Sequence, residues 1–230
     1  MHRNKTAYLI AVVFVAGLVG TGCSSTEPVT EIRQPQQDMS DREALFWSNR
    51  ESSRTNYTEA DVDFMTKMIA HHAQALVMSA LSVGNDAGTS VQVLAARIIN
   101  AQQDEIESMQ KWLRDRGRRA PQVHIDGLDL SIRGSAHQHS GRQQAADMPG
   151  MLSWEQLEEL AASKGSDFDR SYLTFMIQHH EGAVIMVQEL FSTNGAALDV
   201  EIFQLASEIN AEQITEIERM KQMLETMSHK

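Results

Sequence analysis

The chain predicts an all-α fold, a four-helix bundle made from two repeated antiparallel hairpins joined by a long crossover. Three observations carry this reading: a duplicated motif, four long segments with helical spacing of apolar residues, and turn signals between them. Met68-Ile69-Ala70-His71-His72 returns as Met176-Ile177-Gln178-His179-His180, with His71 and His179 standing 108 positions apart. The match extends to Asp61 and Asp169, Phe64 and Tyr172, Thr66 and Thr174, and Met78 and Met186. Farther on, Leu94-Ala95, Ile98, Gln102, Glu105-Ile106-Glu107, Met109 and Leu113 recur as Leu205-Ala206, Ile209, Gln213, Glu216-Ile217-Glu218, Met220 and Leu224, now 111 positions apart. Only the loop inside each copy has changed length. Two copies of one unit argue for internal pseudo-symmetry.

The elements follow in order. Arg3 and Lys5 precede an apolar run from Ala7 to Val19 and the small residues Gly20-Thr21-Gly22. A run this short is a signal core rather than a membrane span, so residues 1–22 are expected to be an export signal. Cys23 is the single cysteine, which excludes an intramolecular disulfide and a thiolate cluster. Its place after small residues resembles a bacterial lipobox, although Gly20 stands where that box usually has leucine. Cys23 is therefore expected to carry a lipid on the extracytoplasmic face of the cell membrane. Residues 23–56 are polar and read as a tether, except that Leu45-Phe46-Trp47 either docks on the domain or starts a short helix.

The bundle domain is expected over 57–230, with hairpins at about 58–117 and 167–228 and a crossover at 118–166. Thr58 caps the first helix, with Glu59 and Asp61 in its first turn where the helix dipole favours them. Met65, Met68, Ile69, Leu76 and Val77 form one apolar stripe, which ends near Gly84-Asn85. The next helix starts after Gly88, capped by Thr89 or Ser90, and stops at Gly117. The short link makes the two helices antiparallel. The crossover contains Pro121, Pro149, His124, His137 and His139 and reads as loop, or loop plus short helix. No strand is expected. Ser153-Trp154-Glu155-Gln156 is a capping box for a short helix. The second hairpin runs from about Asp167 to Ser192, turns at Asn194-Gly195, and continues from Leu198 to Met227.

Composition narrows the function. A formal charge of -11 disfavours binding to a phosphate backbone, so nucleic acid is not an expected partner. There is no glycine-rich phosphate loop, no Gly-x-Ser-x-Gly and no catalytic cysteine. The 13 methionines are first of all helical core filler. Residues three and four apart share a helix face, so Met65, Met68 and His72 lie on the apolar stripe, as do Met176 and His180. His71 is turned by about 100° from His72, toward Met78 and the stripe's edge. On the partner helices Gln102, Glu105 and Met109, and Gln213, Glu216 and Met220, share a face. A lone buried histidine is usually satisfied by a hydrogen bond, and a glutamate is a ready partner for it. Burying so many polar groups is nevertheless costly where leucine would fill the volume. Candidate metal ligands are His71, His72, His179, His180, Met68, Met176, Met78, Met186, Glu105, Met109, Glu216 and Met220. Imidazole suits several metals, and thioether selects for copper, so a copper ion is the expected partner. Glu-x-x-His, the di-iron bundle motif, is missing: Met68, Ile69, Met176 and Ile177 stand three residues before the four histidines. Zinc would not call for methionine.

Met-Ile-x-His-His in both halves, Gln-x-x-Glu-Ile-x-x-Met in the partner helices, and Met148-Pro149-Gly150-Met151 before Ser153 together resemble the bacterial "domain of unknown function 305" family, over about Tyr57 to Met227. The resemblance implies a ferritin-like four-helix bundle, usually exported. Some members of that family are associated with copper binding and copper tolerance through histidines and methionines. The family's histidines fall on His71, His72, His179 and His180, and its methionines on Met68, Met109, Met176 and Met220. Three functions compete: a membrane-anchored copper buffer or carrier, a metal-dependent oxidoreductase on the same scaffold, and a metal-free envelope scaffold. The missing Glu-x-x-His and the abundance of oxidisable methionine count against the second.

Overall fold

Thr58 opens the bundle as its sequence demands. Its hydroxyl accepts a hydrogen bond from the Asp61 amide at 3.3 Å, and the Asp61 carboxylate accepts one from the Thr58 amide at 2.7 Å. This capping box starts a 26-residue helix. The computed structural model describes residues 35–134 and 148–228. In chain order these form helices α1 (Pro35–Thr55), α2 (Glu59–Gly84) and α3 (Thr89–Asp115), strands β1 (Gln122–Asp126) and β2 (Asp129–Arg133), and helices α4 (Trp154–Ala162), α5 (Gly165–Ser192) and α6 (Val200–Ser228). Cys23, the expected signal segment and the His137/His139 pair lie outside the described residues. Among the described residues no helix is long and apolar enough to cross a membrane. The segment expected as a tether contains α1, on which Leu45, Phe46 and Trp47 are exposed.

Two antiparallel hairpins, α2–α3 and α5–α6, make the bundle. α2 packs along α3, α5 along α6, and α2 crosses α5, whereas α3 and α6 make few close approaches. The hairpins lock onto each other reciprocally. Asp61 Oδ1 accepts the Ala197 amide from the second hairpin's turn at 2.7 Å. Its repeat counterpart Asp169 accepts the Gly88 amide from the first hairpin's turn at 3.0 and 3.1 Å. The cap of α3 is consequently Gly88 itself, rather than Thr89 or Ser90 as the sequence suggested. A Cβ at Gly88 would fall 2.7 Å from Asp169 Oδ2, so the glycine makes room for the carboxylate. At the far end, Arg116 is buried under Trp112, with its guanidinium 4.2 Å from that ring's centroid, and is paired with Asp199 and Glu201, joining the end of α3 to the start of α6.

The crossover corrects one expectation. The sequence offered no obvious strand, yet β1 and β2 pair antiparallel, with Val123 opposite Ile132 and Ile125 opposite Leu130. Each strand has five residues, so its alternation is too brief to stand out. What secures the ribbon is tertiary: Ile132 packs on Ala70 and Ala73 of α2, flanked by Val123 and Leu130. The chain then runs through Met148–Leu152 across α2 and α5. The Gln74 amide clamps it, donating to the Leu152 carbonyl at 3.0 Å and accepting the Leu152 amide at 2.8 Å. Ser153 caps α4 through the expected box with Gln156.

Asp61→Ala is expected to lower stability by about 2–3 kcal/mol, because it removes a helix cap and leaves a buried amide unpaired. Asp169→Ala, whose contact is exposed, is expected to cost about 1 kcal/mol. Urea denaturation checks both values; equal effects would contradict the asymmetry.

Candidate metal centre

Where α2 crosses α5, the antiparallel arrangement brings the two copies of His-His face to face. His71, His72, His179 and His180 are all fully buried. The His71 and His179 rings lie at the crossing itself, centroids 3.9 Å apart and tilted by 38°. His71 therefore sits at the centre of the helix pair rather than at the stripe's edge. The reason is that α5 and the crossover cover the face of α2 that a single helix would leave open. His72 and His180 turn the other way, toward the second layer. His72 Nε2 is 2.7 Å from Glu105 Oε2 on α3, and His180 Nε2 is 2.8 Å from Glu216 Oε2 on α6. Only the second contact has hydrogen-bond alignment; His72 and Glu105 touch without it. Each hairpin thus supplies one imidazole to the crossing and one imidazole–carboxylate pair within itself.

The interior is rich in polar atoms without partners. His71 Nδ1, His72 Nδ1, both nitrogens of His179 and His180 Nδ1 are buried and unpaired. So are both amide atoms of Gln102 and Oε1 of Gln213, which lie one turn before Glu105 and Glu216. Apart from Trp112 Nε1 and Arg116 Nε, every unpartnered buried side-chain atom among the described residues belongs to these histidines, glutamines and Glu105. Orphaned donors and acceptors are costly in a native core. They gather at the α2–α5 crossing and on the α3 and α6 faces behind it.

Electrostatics keeps the central imidazoles neutral. Burial pushes His71 down to about 3, with the neighbouring His72 and His180 adding to the fall and the Pro149 carbonyl opposing it. His179 is lowered well below its ordinary value, first by burial and then by His71, His180 and His72, with the His71 backbone, near but short of hydrogen-bond alignment, opposing the fall. A neutral imidazole has one nitrogen lone pair free, the form that ligates a metal. His71 Nε2 lies 3.0 Å from the Pro149 carbonyl, an acceptor, so Nε2 carries the proton and Nδ1 carries the lone pair.

The methionines are distributed by the same symmetry. Met68, Met109 and Met186 belong to one apolar cluster with Phe64 and Trp112. Met78, Met176 and Met220 belong to a second with Phe168 and Tyr172. Each cluster takes two of these methionines from one hairpin and the third from the other. All six are buried, so their packing is first that of core residues. Among the described residues no three side chains drawn from His, Cys, Asp and Glu form a ready-made metal cage.

Two residues that hold this layer together are not evident from residue type alone. Gln74 and Gly182 occupy matching positions, 108 apart, and do not match. Gln74 clamps the crossover, and Gly182 lets it approach: a Cβ there would lie 2.0 Å from the Pro149 carbonyl oxygen. A glycine inside a helix costs about 1 kcal/mol relative to alanine, so its presence signals a close approach. The break in the repeat at this pair was the available clue.

The two neutral histidines set an acid limit. Unfolded, each takes a proton near its ordinary value of 6.5, and folded His71 resists to about 3. The unfolded chain therefore binds more protons in this window. Stability is complete above about pH 6.5 and is lost as the pH falls below it, through His71 by about 1.4 kcal/mol per unit toward 3 and through His179 in the same direction. Metal-free protein is expected to show this loss in urea midpoints between pH 7 and 4. A His71→Gln/His179→Gln variant should be flatter over that range, and an identical slope would contradict the assignment.

Comparison with known proteins places the chain. A DUF305 fragment from Deinococcus radiodurans is 26% identical in its solved structure, which matches 74% of this chain and 98% of its own, with a TM-score of 0.59. The protein CopM, solved in a Cu(II)-bound form, is 26% identical over 72% of this chain and 96% of its own, with a TM-score of 0.52. Its Cu(I)-bound form matches over the same shares at 26% identity, with a TM-score of 0.51. No curated protein sequence matches the chain. Residues 61–224 match the family described as "Domain of unknown function (DUF305)", spanning both hairpins and the crossover, and the chain belongs to that family.

Proposed function

We propose that this protein is an extracytoplasmic, membrane-anchored copper-binding protein that buffers copper or confers tolerance to it. The observation that carries the reading is the cluster of four buried imidazoles, two facing each other at the helix crossing with centroids 3.9 Å apart and two against carboxylates, several of whose nitrogens have no partner. Neutral nitrogen donors in an interior whose two apolar clusters carry thioethers suit a soft ion such as the cuprous one. His71 and His179 would supply nitrogen at the centre, and His72 and His180 would supply it toward Glu105 and Glu216. Met68, Met109, Met186, Met78, Met176 and Met220 are the nearby thioethers available to complete a shell. The copper-bound forms of CopM support the same reading by similarity of fold and sequence. The anchor is Cys23, whose lipid would hold the bundle at the outer face of the membrane.

Competition between the protein and a chromophoric chelator for cuprous ion tests the site. The wild type is expected to take up copper and to gain about 4 kcal/mol of stability when the free ion is a thousandfold above Kd. A His71/His72/His179/His180 alanine variant should lose that uptake, and the folded His71→Gln/His179→Gln variant guards against loss by misfolding. Equal uptake by either variant would refute the site. Detergent-phase partitioning of the exported protein, lost in Cys23→Ala, tests the anchor.

A further inference from the structure

A buried site needs an entrance, and the second layer of the bundle shows where one is built. α2 and α5 cross closely and are covered outside by the crossover. α3 and α6, on the other side, make few close approaches. This seam carries carboxylates in depth. Glu105 and Glu216 are its inner pair: their side chains are 11% and 7% exposed, and each touches a fully buried histidine. Glu212, one helical turn before Glu216, is exposed. Its carboxyl is held above the usual range, first by partial burial and then by Glu105 and Glu216, with Arg97 opposing, so these four groups share one local field. Arg97, half-exposed on α3, stands 3.9 Å from Glu216.

Acidic side chains alone would be a solvated surface. Here a second observation points inward. The imidazoles these carboxylates touch are wholly buried and keep an unpartnered Nδ1. Gln102 and Gln213, on the same helix faces as Glu105 and Glu216, are buried with unpartnered amide atoms. The repeat adds an asymmetry: the position equivalent to Arg97 in the second copy is Glu208. One end of the seam thus carries a guanidinium counter-charge, and the corresponding residue for the other end is a carboxylate that adds to the field at Glu212.

We propose that the α3–α6 seam is the port through which a soft monovalent cation reaches the buried histidines, with Glu212 as its outer carboxylate, Glu105 and Glu216 as the inner relay, and Arg97 as the counter-charge opposing entry. The proposal rests on the copper-binding reading of the histidine layer and deepens it. A cation arriving at Glu212 is drawn to Glu216 and Glu105, and from there it meets His180 and His72 directly. The rival entrance is a cleft of about 280 Å³ on the other side of the bundle, lined by Asp63, Lys67, Met148, Met186 and Glu189 among others.

Stopped-flow loading of the purified protein with silver(I), which needs no reductant, separates the two routes. The measurement is made at about 0.01 M ionic strength, where the Debye length is about 30 Å. Glu212→Gln is expected to slow loading roughly threefold and Arg97→Gln to speed it by a similar factor, both effects shrinking with added salt. The Asp63→Asn and Glu189→Gln variants, on the rival cleft, should change the rate less than Glu212→Gln does. Unchanged rates in Glu212→Gln and Arg97→Gln with normal silver uptake would overturn the port and leave the site standing. A wild type that takes up no silver or copper would overturn the site and the port with it.

Discussion

The structure turns on one constraint: four imidazoles are buried where two helices cross, and the protein itself satisfies only some of their nitrogens. His71 and His179 face each other at the crossing, both lowered first by burial and then by neighbouring histidines, His72 and His180 for His71 and His71, His180 and His72 for His179. His72 and His180 are carried into the second layer against Glu105 and Glu216. A core made only for stability would place leucine at these positions and gain apolar burial without polar orphans. The reciprocal hairpin locks through Asp61 and Asp169 hold the crossing in register, so the fold bears that cost with a rigid frame.

The duplication explains the geometry, and the departures from it explain the asymmetry. Exact two-fold repetition would give His71 and His179 the same surroundings. The crossover breaks this by lying over one face, where Gln74 clamps it and Gly182 admits it. Its Pro149 carbonyl faces His71 and leaves His179 without an equivalent partner. The opposite face stays loosely closed by α3 and α6, and there Arg97 and Glu208 occupy equivalent positions with opposite charge. A single inherited unit has thus acquired a covered side and an acidic side.

Much of the bundle was legible in the chain because its signals are local and strong. The Thr58 box, the Ser153 box, the apolar stripes and the duplicated His-His motif each depend on residues within a turn or two of one another. The centring of His71 was not legible, since it depends on α5 and on a carbonyl 78 residues away. The β-ribbon was missed for a similar reason, its five-residue strands being held by Ile132 against α2. Gly88 as the cap of α3 became intelligible only with Asp169 beside it. The candidate ligands were recognisable by type and spacing, whereas the division of the methionines into two symmetric clusters required the packing of both hairpins.

X-ray absorption spectroscopy at the copper edge, on protein loaded with one equivalent of cuprous ion, tests the central claim most directly. The account predicts a first shell containing imidazole nitrogen, identified by the outer-shell scattering of the ring, together with sulfur from methionine. A shell without imidazole, or copper removed by a single wash, would contradict the claim that the buried histidine layer grips the ion.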